Sequence, residues 1–169
     1  MRVFFLIAFL FPQFAFCQGK TIRRADSLFA IKQSAPPQLW SIFKDSGLNT
    51  QYKVNFTHLN PFYYHGDFDG DNNTDYAVLL KENNGESNRL TILCGNKDVH
   101  FLDPDKKLRY PPLTAWYVYS KNWNVDGSPY EAKKAPELIG DALMIIQVEA
   151  SSSLIYWNGK RFESYWMSD

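Results

Sequence analysis

The 169-residue chain is poor in the side chains from which soft-metal and redox sites are made, with two cysteines and three histidines. Cys17 and Cys94 lie far apart, and His58, His65 and His100 are scattered. Cys94 and His100 share a spacing but lack the second pair that makes a zinc motif. There is no charge of one sign to spare either: 18 basic side chains face 18 acidic ones. A nucleic-acid or membrane-surface binder needs a basic excess, so both roles are disfavoured. No phosphate-cradling glycine loop occurs, and Ser151 to Ser153 have no Gly-x-Ser-x-Gly context. No catalytic constellation emerges, and no repeat or low-complexity tract interrupts the chain.

Long apolar runs are confined to the first residues, MRVFFLIAFLFPQFAFCQGK. One basic residue, an apolar stretch, then Ala15 and Cys17 placed two apart match a cleavable secretory signal over residues 1–17. The run ends near Phe16, short of the roughly 20 residues needed to cross a bilayer. No membrane span is expected after cleavage, and the mature chain is expected in the periplasm or outside the cell. Acylation of Cys17 is the alternative, but Phe14 and Phe16 stand where a lipoprotein signal has small residues. Without Arg2 the remainder, residues 18–169, carries 17 basic against 18 acidic side chains, and its length suits one domain. With Cys94 as its sole cysteine no internal disulfide can form, and the position of Cys94 at the end of RLTILC reads as a buried thiol.

Residues 21–33 place Ile22, Ala25, Leu28 and Phe29 at helical spacing, opposite Arg23, Arg24 and Lys32. Leu39, Trp40, Ile42 and Phe43 continue the pattern after Pro36-Pro37, and Gly47 closes it. From Tyr52 the period changes to two: YKVNFTHL alternates, and YAVLL, RLTILC and AWYVYS are strand-like. Asn84-Gly85 and Asn158-Gly159 read as hairpin turns, the second setting Ile155 opposite Phe162 and Tyr156 opposite Arg161. Residues 103–113 and 121–137 read as surface loops. The expected class is α+β, N-terminal helices packed on a mainly antiparallel β-sheet.

The densest chemistry lies in HGDFDGDNNTDYAVLL, residues 65–80. Asp67, Asp69, Asp71, Asn73 and Asp75 occupy alternate positions of a loop at 67–75. Calcium takes six to eight hard oxygen ligands, and alternate side chains of a tight loop can converge on one centre while Asn73 offers its carbonyl. Four carboxylates so close repel one another unless a cation is present. Gly70 and the Asn72-Asn73 pair let the backbone turn. A helix-loop-helix calcium hand needs glutamate at the twelfth loop position, where Val78 stands, and a helix where a strand follows. The loop instead resembles that of FG-GAP and VCBS-type repeats, Asp-x-Asp-Gly-Asp-Gly-x-x-Asp before an apolar strand. Asp67, Asp69, Gly70, Asp71 and Asp75 match, and Asn72 replaces the second glycine. The resemblance implies that the aspartates hold Ca2+. It spans about fifteen residues and occurs once, whereas a propeller needs several blades, so it does not extend to that fold. The chain also resembles a class of small exported bacterial proteins that have one such loop and a closing hairpin like YWNGKRFESYW.

Aromatic side chains are plentiful, with 5 Trp, 10 Tyr and 13 Phe. Neighbours on a strand face opposite ways, so Trp116 and Tyr117 cannot both point inward. Trp116, Tyr117 and Trp123 are the candidate partner-binding residues, for an unknown protein or a glycan. The sequence thus reads as an exported, calcium-binding, non-catalytic binding domain. An inhibitor or immunity protein against a cell-wall hydrolase or toxin, and a metal-dependent hydrolase, are the alternative readings.

Overall fold

The computed structural model describes residues 24–85, 87–102, 114–129, 132 and 134–168. The secretory signal expected at 1–17 and the whole of the loop expected at 103–113 lie outside the described residues. Among these, no helix is long and apolar enough to cross a membrane.

Two short helices come first, α1 (Arg24–Ser34) and α2 (Pro37–Asp45). Proline suits the first turn of α2, because its fixed φ is already helical and its missing N–H has no partner to lose. Gly47, at φ 73, ends the segment in the left-handed region. Leu39, Ile42 and Phe43 form the buried face of α2. Of the apolar face expected of α1, Phe29 is exposed while Ile31 makes a packing contact; Ile22 and the side chains of Ala25 and Leu28 lie outside the described residues.

Nine strands follow among the described residues: β1 (Tyr52–Val54), β2 (Tyr63–Gly66), β3 (Asp75–Glu82), β4 (Asn88–Leu93), β5 (Val99–Phe101), β6 (Thr114–Tyr119), β7 (Ala142–Gln147), β8 (Ser151–Trp157) and β9 (Phe162–Ser168). They form two antiparallel sheets. In the first, β3 pairs with β4 and β4 with β5, while β1 and β2 share the other edge of β3. β1 lies against Leu80–Glu82 and β2 against Asp75–Val78, with residues 55–62 looping out between them. The second sheet is the meander β6-β7-β8-β9.

The α+β expectation is therefore corrected to a β-rich architecture of two sheets. Its central core lies between the sheets: Ala77, Leu79, Leu90 and Ile92 of the first meet Trp116, Leu143 and Ile145 of the second. On its other face β3 turns Tyr76, Val78 and Leu80 toward α2. Burial on both faces is why YAVLL is an unbroken apolar run and not an alternating one. The second sheet is covered likewise, with Ala142, Met144, Leu154 and Tyr165 under Val125, Ala135 and Leu138 of the β6–β7 connection. Helices take up one outer face only; the sheets supply each other's main cover, a pairing that local periodicity does not encode.

Both expected hairpins form, the second with a longer loop. Glu82 N–H donates to the Ser87 carbonyl at 3.1 Å, so the first connection spans 83–86. In the second, the Asn158 side-chain oxygen accepts the N–H groups of Lys160 and Arg161 at 2.9 and 3.0 Å. That capture holds four residues in the loop and sets Trp157 opposite Phe162 and Ile155 opposite Ser164. The two-residue register expected from Asn-Gly is thereby displaced.

Candidate metal centre

The acidic loop is the connection between β2 and β3, since Gly66 pairs with Asp75. Its backbone is shaped by its own carboxylates. Asp69 accepts the N–H of Asp71 at 3.1 Å, Asp71 accepts that of Asn73 at 2.7 Å, and Asp67 accepts that of Asn72 at 3.2 Å. Each short acidic side chain thus replaces a missing ladder partner two to five residues ahead. Gly70 and Asn72 take positive φ, 78 and 64. Asparagine tolerates that region, so replacing the second glycine of the FG-GAP-like pattern leaves the turn intact.

Asp67, Asp69 and Asp71 bring ligand oxygens within 4.8 Å of one another. Calcium–oxygen distances of about 2.3–2.6 Å allow two ligands of one ion to lie up to roughly 5 Å apart, so this donor set fits the cation. Asp69 also belongs to a second group with Asp75 and Cys94. Asp75 is fully buried, and its carboxylate accepts N–H groups from Phe68 at 2.8 Å, Asp69 at 3.3 Å and Gly95 at 2.9 Å. It clamps the loop mouth to the β4–β5 turn. The Asn73 side-chain amide donates to the Asp71 carboxylate at 2.8 Å.

Three residues unseen in the sequence fix this loop to the second sheet. Asp141 N–H donates to the Asp67 carbonyl at 2.6 Å, and the Asp141 carboxylate accepts the N–H groups of Asp67 at 3.2 Å and Lys121 at 3.0 Å. The Lys121 ammonium lies 2.8 Å from the Asp67 carboxylate. Gly140 lets the two backbones touch. Phe68 carries the attachment inward, fully buried in the core between the sheets. These partners lie 54 to 74 positions from the loop, and no local pattern marks them.

Burial dominates the electrostatics. It raises the Asp69 carboxyl, helped by repulsion from Asp71, while hydrogen bonds from Asn73 lower Asp71. Asp75 is pushed up by burial to about 6, against the pull of the Gly95 N–H. Cys94 is buried, and burial together with the Asp75 and Asp69 charges pushes its thiol far up, so it stays protonated. A pH dependence follows. In metal-free buffer the folded chain holds the Asp75 proton more tightly than the unfolded chain, whose carboxyl sits near 3.8. This contribution to stability is full below about pH 4 and is lost as pH rises through about 6. Melting temperatures across that interval should fall for the parent chain and flatten for Asp75→Asn; a rise in the parent rejects the assignment.

The candidate partner residues divide. Trp116 is the inward member of its pair, in the central core with its Nε1–H donating to the Pro61 carbonyl at 2.9 Å. It does not present a partner surface. Tyr117 is 37% and Trp123 54% exposed, and Trp123 meets the Tyr119 ring edge-on at 5.1 Å. Of the histidines, His58 and His65 are exposed, and His100 packs against the rings of Trp157 and Phe162. No protein-family model, curated protein or solved structure matches the chain.

Proposed function

We propose that the chain is an exported, calcium-binding, non-catalytic binding domain. The ion is structural, and the partner is a protein or a glycan. The observation that carries this reading is the convergence of Asp67, Asp69 and Asp71 in a loop bonded to both sheets. A cation there ties the first sheet to the β6–β7 connection of the second. The likeness to FG-GAP and VCBS-type loops supports the choice of calcium, and the leader-like residues 1–17 support export. A catalytic ion keeps a water-filled position beside a cleft. Residues 71–74 are instead the exposed apex of the hairpin, which favours a structural role. Tyr117 and Trp123 offer exposed aromatic surface for the partner.

Calcium should raise the melting temperature by several degrees over chelator, and magnesium should not, because binding to the folded state stabilises by mass action. Asp69→Ala should abolish that rise while changing the melting temperature in chelator little. Equal loss in both conditions, or no response of the parent chain, would reject the structural ion.

A further inference from the structure

We propose that the groove between α1, α2 and β1 is a binding site for an acidic sugar. This groove, of about 600 Å3, is made of residues that the acidic loop does not use. Its volume falls within the range typical of small-ligand sites.

Charge is the first argument. Lys32, Lys44 and Lys53 line the groove, and no carboxylate is among its described lining residues. In a chain with equal numbers of acids and bases, the ammoniums of Lys32 and Lys44 on the helix side of one concavity are a local concentration. Two carboxylates next to lining residues, Asp45 beside Lys44 and Glu82 beside Asn83, are turned elsewhere. Asp45 lies 3.6 Å from Lys97, and Glu82 curls over the turn at Gly85.

The walls supply the second argument. Trp40 and Phe56 are 6.1 Å apart and tilted, Tyr52 is half-buried, and Phe43 and Val54 lie buried beneath. Lys32 lies 5.2 Å from the centre of the Trp40 ring, so one ammonium already sits against an aromatic face. The C–H faces of a sugar ring pack on such walls, and its acid group reaches the lysines. Asn49 and Asn83 at the lining offer amide groups to hydroxyls. A neutral sugar leaves the ammoniums unmatched. An acidic peptide places backbone N–H groups against aromatic walls that cannot accept them.

The test is a titration of the full chain by heteronuclear NMR with trigalacturonate, glucose 6-phosphate, neutral galactotriose and a short polyglutamate peptide. It is run in chelator below the melting temperature, so that its failure leaves the calcium reading untouched. The acidic sugars should shift the signals of the groove, with trigalacturonate and glucose 6-phosphate separating carboxylate from phosphate as the acid group. Galactotriose should not bind, and added salt should weaken the acidic sugars. The variant Lys44→Gln should bind them roughly two- to fivefold more weakly at an unchanged melting temperature, since Lys44 is exposed. Tyr52→Leu should weaken binding while keeping the salt dependence. Failure of both acidic sugars to bind, equal binding of galactotriose, preferential binding of polyglutamate, or undiminished binding by the lysine variant each overturns the proposal.

Discussion

Phe68→Ala is expected to lower the stability of the folded chain by roughly 3–5 kcal/mol, the usual result of emptying a buried aromatic site. Phe68 sits between two aspartates of the acidic loop, yet its ring is fully buried among residues of both sheets. Its loss removes apolar contact and leaves a cavity where the sheets meet. For a chain of this size, roughly 2–4 °C is lost per kcal/mol, so the melting temperature should drop by about 6–20 °C. The loss should appear in chelator as well as in calcium, because it originates in the core. Phe68→Leu should recover part of it. Denaturant titration gives the free energy directly, and a change under about 1 kcal/mol would show that the ring is not packed as described.

Gly140→Ala is expected to cost on the order of 3 kcal/mol, the upper part of the range for overpacking. A Cβ at this position would lie 2.5 Å from the Asp67 carbonyl oxygen, 2.8 Å from the Gly70 nitrogen and 2.9 Å from the Phe68 carbonyl carbon. All three are main-chain atoms, so no side-chain rotation relieves the clash. The loop must move away from residues 139–141, and the 2.6 Å bond from Asp141 N–H to the Asp67 carbonyl is strained or lost. The calcium response should weaken with it, since Asp67 is displaced. Gly127→Ala is the control: nothing lies within 4 Å of a Cβ there, and its melting temperature should stay close to that of the parent. Equal effects of the two substitutions would mean that the loop does not rest on Gly140.

The acidic loop was legible in the sequence because the bonds that form its turns are local. Carboxylates at alternate positions accept N–H groups a few residues ahead, and Gly70 and Asn72 supply the positive φ. Asp75 was legible as a loop member, but its burial was not, since that depends on the Gly95 N–H arriving from another turn. Lys121, Gly140 and Asp141 were invisible for the same reason: they belong to a connection of the second sheet. The strands of residues 75–93 and 142–168 were readable from runs and turns. What failed was their stacking. An apolar run such as YAVLL says that both faces are covered without saying by what, and the helical pattern before Pro37 suggested a cover that α2 provides on one face only. The register of the last hairpin failed on a single side chain, Asn158, whose oxygen holds two N–H groups and enlarges the loop.

The divided edge of the first sheet has a colloidal consequence. An unbroken strand beside β3 would present a row of free main-chain donors and acceptors on which another chain could lay its own strand. Here the border consists of a three-residue piece and a four-residue piece, and the chain between them swings out of line. Leu59 and Phe62 anchor that detour in the clusters on either side of the sheet, so it cannot straighten without giving up apolar burial. Neither piece is long enough to template a growing fibril, so this edge of the first sheet gives a second chain little to pair with.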